Sequence, residues 1–293
     1  MGWLWTPIII YVLFAAVLFV AQRKMLYHPP PGRPDPARYG VAGLTTVDIE
    51  TEDGLTLSHW YRPPARPGGP VIVMFHGNAG HVGDRVDKLR ALYKTDFGIF
   101  LVEYRGFGGN PGSPSEDGLL ADARSVVAWL RRNGVEPAET IMYGESLGTG
   151  VAVQTAAAQA RGDLDPGDLD PGGRAAPFAG VLLESPYTSI ADVAQHHYWY
   201  LPARWLLLDK WDSAAVIGQI GAPLLVLHGR ADNTVPFKFG KRLYEMAPEP
   251  KAALFLPDGN HTDLFNMPDV IAAVTDFVER TTSPANPAEA PAE

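Results

Sequence analysis

Cysteine is absent from the 293 residues, which excludes disulfides, thiolate metal sites and a cysteine nucleophile but leaves the compartment open. Basic residues are scarce. The 24 Lys and Arg are outnumbered by 33 Asp and Glu, and a net charge of −9 speaks against a general nucleic-acid-binding surface. No G-x-x-x-x-G-K-[ST] loop is present for nucleotide phosphates, and no H-E-x-x-H pair for a metal. The acidic near-repeat GDLDPGDLDPGG at 162–173 fits no EF-hand, because Pro and Gly interrupt its carboxylates, and it reads as a solvated loop. What remains is ordinary globular material, 46% hydrophobic and 19% charged, enough for a sizeable core.

Charge is missing altogether from residues 3–21, and almost every side chain there is apolar. Residues 3–22 read as a retained transmembrane anchor. A cleaved signal peptide would want a basic start and a small-x-small cleavage site. Trp3 and Trp5 suit one membrane interface and Tyr27 the other. The nearby positive charges, Arg23, Lys24, Arg33 and Arg38, all follow the segment, so the positive-inside rule puts the N-terminus outside and the domain that follows on the cytoplasmic side. Residues 23–44 form a Pro-rich linker, stiff from 28 to 36, in which His28 reads as a loop residue. Residues 281–293, rich in Pro, Ala and Glu, read as a disordered tail.

Residues 45–280 alternate short apolar runs with helical patterns. Residues 45–51 and 55–61 flank Glu52-Asp53-Gly54 as a hairpin. Further strands are expected at 71–75, 98–103, 141–143, 180–183, 223–227 and 251–256. Helices are expected at 82–93, 115–132, 149–160, 237–246 and 270–280. Ser115 would cap the second of these, whose apolar stripe is Leu119, Leu120, Ala123, Val126, Val127 and Leu130. The uninterrupted apolar strands suit a sheet buried on both faces, so the fold class is α/β with a mostly parallel central sheet flanked by helices. Residues 188–218 are rich in Tyr and Trp and read as a helical cap insertion over the site, or as a helix pair packed into the core.

The stretch TIMYGESLGTG at 140–150 combines an apolar strand, a G-x-S-x-G turn and a small-residue helix. That is a nucleophile elbow, in which the two glycines admit the strained turn that projects the Ser146 hydroxyl. A serine needs a general base, and the base needs an orienting acid. His261 follows the last strand on a loop able to reach Ser146. His196 and His197 lie in the aromatic segment, His59 inside a strand and His81 near a helix start, while His228 supports the acid loop. Asp232, after the 223–227 strand, is the expected acid and Glu184 its rival. Asp263 lies too near His261 in the chain and reads as a helix N-cap. The oxyanion would be held by the backbone N–H of Leu147 and one from the loop after 71–75, Asn78 first and Ala79 next, with His76 and Gly77 shaping that loop.

Several motifs in this order extend the picture: HGNAG at 76–80, EYRGFGGNPGSPSEDG at 103–118, YGESLGTG at 143–150, ESPYTS at 184–189, HGRADNTVP at 228–236 and GNHTD at 259–263. Here the chain resembles α/β-hydrolase-fold serine hydrolases, and is similar to their single-pass membrane-anchored members. The resemblance covers roughly residues 45–280 and the anchor. It implies cofactor-free ester, thioester or amide hydrolysis with Ser146, Asp232 and His261 as the triad, acting on a small-molecule or acylated substrate at a membrane, without nucleic acid. It also makes Glu184 a motif residue and no longer the acid. A serine peptidase or amidase of the same fold, and a non-catalytic membrane-tethered binding protein, are the alternative readings.

Overall fold

The computed structural model describes residues 5–164 and 175–283. Trp3, the acidic repeat from residue 165 to 173 and the tail from residue 284 lie outside the described residues. Thr281 and Thr282, expected to begin the tail, instead complete the last helix.

Eight strands form one sheet: β1 (Thr45–Glu50), β2 (Thr56–Arg62), β3 (Val71–Phe75), β4 (Gly98–Val102), β5 (Thr140–Glu145), β6 (Gly180–Glu184), β7 (Leu224–Gly229) and β8 (Lys251–Leu256), ordered β1-β2-β4-β3-β5-β6-β7-β8. The hairpin β1–β2 joins β4 antiparallel, and every later pairing is parallel. Strands β3, β4, β5 and β6 are buried along essentially their whole length, as their unbroken apolar runs require when helices cover both faces. The register aligns the strand ends: Phe75 pairs with Gly144, Glu145 with Glu184, and Glu184 with Leu227. Everything that leaves one of the parallel strands β3 to β8 at its carboxyl end therefore emerges at one edge, where open α/β sheets gather their functional loops.

The helices are α1 (Thr6–Leu26), α2 (Gly83–Lys88), α3 (Glu116–Arg132), α4 (Leu147–Arg161), α5 (Ile190–His197), α6 (Ala203–Leu206), α7 (Ser213–Val216), α8 (Phe237–Met246) and α9 (Pro268–Thr282). Helix α3 begins where Ser115 accepts from the Gly118 N–H, as expected. The long helix expected at 82–93 is instead the short α2 followed by a 3₁₀ turn, Leu92–Lys94. Its buried apolar side chains, Val82, Val86, Leu89 and Leu92, keep helical spacing, so the burial pattern does not mark where α2 stops.

The N-terminal region departs furthest from the sequence reading. Helix α1 runs past the expected end of the anchor to Leu26. Tyr27, expected at a membrane interface, is buried: Trp211 Nε1 donates to its hydroxyl at 3.2 Å, and that hydroxyl donates to Asp209 at 3.2 Å. The proline-rich stretch does not stand off as a spacer at its start, because His28 makes a parallel bridge to Ala79. The cap region also divides. Trp211 is fully buried at φ 47°, with its N–H held by Glu116, whereas Trp199 and Trp205 are 78% and 89% exposed.

Candidate active site

Ser146 leaves β5 at φ 50° and ψ −115°, a strained geometry for a residue with a Cβ. The neighbouring glycines permit it. A Cβ at Gly148 would lie 2.0 Å from the Phe75 carbonyl oxygen, and one at Gly144 would lie 2.5 Å from that of Gly148. The turn is pinned further by the Ser146 N–H, which donates to the Glu184 carbonyl at 2.9 Å.

His261, carried on the loop after β8, places Nε2 3.0 Å from Ser146 Oγ and Nδ1 2.7 Å from Asp232 Oδ2. Asp232 is held from the other side as well: its Oδ1 accepts from the N–H groups of Thr234 and Val235 at 2.9 and 2.8 Å, and His228 Nε2 lies 3.4 Å from Oδ2. Burial alone would raise the Asp232 pKa. The hydrogen bonds from His228 and His261, with the backbone donors, outweigh it and hold the carboxyl well below the usual carboxylate range. The three groups sit at the ends of β5, β7 and β8, and a proton can pass along the contacts from oxygen to imidazole.

Glu184 is elsewhere. It is fully buried, accepts from Lys88 Nζ at 2.5 Å and from the Tyr143 hydroxyl, and makes no bond to His261. Lys88 also donates to Glu145 at 2.7 Å, and Arg85 to Glu145 at 2.6 Å. Burial would raise the Glu145 pKa, but the two cations overcome it and lower it. This ionic cluster lies under the elbow, and Glu145 also receives the Gly77 N–H at 3.4 Å. Sequence reasoning missed it. The only signal in the chain was the spacing of Arg85 and Lys88, one turn apart on α2.

The loop after β3 is secured at each residue. His76 is buried, with Nδ1 2.8 Å from the Gly77 carbonyl and Nε2 3.1 Å from Glu103, consistent with its expected structural role. The Asn78 side chain donates to the Leu26 carbonyl at 2.9 Å, and its own carbonyl accepts from the His28 N–H at 2.8 Å. Among the described residues no hydrogen bond uses the backbone N–H of Asn78 or of Leu147. Both donors expected for an oxyanion are therefore unspent.

The remaining expectations sort simply. His59 is buried, its Nδ1 accepts from the Glu103 N–H, and burial lowers its pKa to about 3. His196 and His197 lie on the surface, the latter 3.0 Å from the Thr234 carbonyl. Asp263 does not cap a helix through its side chain. Its Oδ1 accepts from Asn260 N–H at 2.8 Å, which closes the turn that carries His261. Among the described residues no cluster of three His, Asp or Glu is arranged to hold a metal.

A family model described as serine aminopeptidase, S33, matches residues 68–169, which span β3, the loop after it and the elbow. An uncharacterized protein of Mycobacterium tuberculosis is 38% identical over 262 residues, covering 87% of this chain and 86% of that one. Lysophosphatidylserine lipase ABHD12 of Danio rerio is 31% identical over 246 residues, 75% of this chain, which spans 61% of the fish protein's length. An esterase of Pyrococcus furiosus superposes with a TM-score of 0.64 at 18% identity, over 87% of this chain and 98% of that one, which speaks to the fold. With a parallel sheet, an elbow serine after β5 and relatives that match across most of its length, the chain belongs to the α/β-hydrolase family and is a hydrolase.

Proposed function

We propose that the protein is a membrane-anchored serine hydrolase that cleaves ester or thioester bonds of lipid-like or acylated substrates through an acyl-enzyme. The observation that carries the reading is the unbroken contact from Ser146 Oγ through His261 to Asp232, at 3.0 and 2.7 Å. Ser146 Oγ adds to the acyl carbonyl as its proton passes to His261 Nε2. Asp232 holds the imidazole in the required tautomer and stabilises the imidazolium. The oxyanion that forms is received by the N–H groups of Asn78 and Leu147. Collapse expels the alcohol or thiol, which takes the proton from His261 and leaves acyl-Ser146. A water then gives His261 a proton as it attacks the acyl carbon. The acid departs and the proton returns to Ser146.

The anchor reading rests on α1. Its 21 residues rise about 32 Å, against about 30 Å of hydrocarbon in a bilayer, and the apolar window within it is not buried against the domain. With Arg23 and Lys24 in its last turn, the positive-inside rule favours a cytoplasmic catalytic domain. The lipid-like substrate class draws support from the fish relative, whose name is that of a lysophosphatidylserine lipase.

The test is hydrolysis of p-nitrophenyl esters by wild type and Ser146→Ala, with fluorophosphonate labelling in parallel. Turnover and labelling by wild type alone support the reading. If wild type neither turns over an ester nor takes the label, a tethered binding protein replaces it. Turnover of aminoacyl anilides in clear preference to esters would move the assignment to a peptidase or amidase.

A further inference from the structure

Helix α1 is not a free stalk. The Tyr11 hydroxyl donates to the Tyr200 carbonyl at 2.9 Å, the Gln22 amide reaches the Leu206 carbonyl and receives the Leu208 N–H, and Arg23 forms a two-pronged ion pair with Asp209 at 2.9 and 3.0 Å. From Tyr11 to Gln22 is a rise of about 16 Å, close to half of a hydrocarbon core of about 30 Å. If α1 spans a bilayer, the cap beside it is sunk roughly one leaflet deep. Trp199, Trp205 and Leu208 there are apolar and at least half exposed, which suits that depth, and the exposed Arg204 is paired with Asp192 at 2.6 Å.

Between α1 and the cap lies a cavity of 210 Å³ walled by Leu18, Met25 and Leu26 on one side and by Ala194, Leu201 and Leu206 on the other. Gln22 also lines it, with both ends of its amide already hydrogen bonded, so its amide places no demand on a guest. The cavity wall is joined at two places to residues that shape the site. Leu26 accepts from the side chain of Asn78, and Ile190, another lining residue, lies three positions from Tyr187, whose hydroxyl donates to the Leu147 carbonyl.

We propose that α1 and the cap together form the binding site for one acyl chain of a membrane lipid, which enters sideways from the near leaflet. An engineered dry cavity of 150 Å³ holds one benzene ring, so at the same packing 210 Å³ takes about eight chain carbons, too few for two chains. The occupant is thus a monoacyl lipid or one acyl group of a lipidated molecule. The inference rests on the acyl-enzyme reading and on α1 spanning the membrane.

The test uses the full-length protein in phosphatidylcholine vesicles and p-nitrophenyl esters from butyrate to laurate. In wild type, kcat/KM rises by up to about fourfold per methylene until about eight carbons and then levels. Ala194→Phe, from the cap wall, and Leu18→Trp, from the α1 wall, fill the cavity, and each lowers the decanoate-to-butyrate ratio of kcat/KM at least tenfold. The ratio is taken within one variant, so partial loss of folded protein cancels. Butyrate turnover by wild type with a ratio unchanged in both variants overturns the acyl site and leaves the hydrolase reading intact. No turnover of any ester by wild type brings down the hydrolase reading itself. A ratio that falls equally in detergent micelles and in vesicles keeps the site but overturns entry from the leaflet.

Discussion

The side-chain amide of Asn78 donates to the backbone carbonyl of Leu26 at 2.9 Å, so the loop expected to hold the oxyanion is fastened to the last turn of the apolar helix. The contact ties the two ends of the proposed function, catalysis and membrane attachment, into one unit. Asn78→Ala keeps the backbone N–H proposed for the oxyanion but releases the loop from the helix. Its kcat toward p-nitrophenyl butyrate is expected to fall about tenfold, less than the roughly 10²–10³ cost of losing an oxyanion donor outright because the N–H itself remains, with KM little changed. An unchanged kcat would show that the fastening does not position the loop.

Asp232→Asn preserves the shape of the acid but removes its charge. The wrong imidazole tautomer is then favoured, and kcat is expected to drop by about 10³–10⁴ while the protein remains folded. Steady-state kinetics beside a thermal melt separates the two effects, and a loss under tenfold would argue against Asp232 as the orienting acid.

Gly240 on α8 lies against His228, and a Cβ there would sit 2.0 Å from the His228 Nδ1. Since His228 Nε2 stands 3.4 Å from Asp232 and 3.0 Å from the Val235 carbonyl, Gly240→Ala must push the histidine into the acid loop. Displacing catalytic groups by about 1 Å costs on the order of 10²-fold in rate. The expected result is a kcat reduced by that order, read by the ester assay, with fluorophosphonate labelling slowed in proportion.

Lys88 bridges the largely buried carboxylates of Glu145 and Glu184, and Arg85 pairs Glu145 as well, so Lys88 is the only cation in contact with Glu184 among the described residues. Lys88→Met leaves a buried negative charge without its partner, which typically destabilises by about 3–5 kcal/mol. A melting temperature within a few degrees of wild type would refute the idea that this cluster supports the elbow.

Asp232 and Glu145 both have folded-state pKa values lowered by their partners. A lowered folded pKa means that the stability each contributes is complete above its unfolded value, near 4, and is lost as pH falls from there toward the folded value. Buried His59, whose pKa is lowered to about 3, adds a loss that begins near its unfolded value of about 6.5, so melting scans should decline gently from about pH 6.5 and fall steeply below pH 4. Asp232→Asn should show a shallower fall over the same range.

Much of this protein is local in origin and so was legible in the chain. The α/β alternation follows from short apolar runs, and the elbow from Gly144 and Gly148 around Ser146, because these depend on burial patterns and steric room within a few residues. The convergence of Ser146, Asp232 and His261 was foreseeable only through strand order, since all three follow strands that end at one edge. Local sequence did not carry the partners. Arg85 and Lys88 sit on a short helix with nothing nearby in the chain to pair them, yet they meet Glu145 and Glu184. Tyr27 looked like an interfacial aromatic, yet it is locked to Asp209 and Trp211 more than 180 positions away. Periodicity reports which face of an element is apolar, whereas which buried polar group meets which is fixed only when distant elements pack. Sequence alone therefore determined the fold class and singled out the residues proposed to carry the chemistry, and the tertiary structure decided that the apolar helix is built into the domain beside the site.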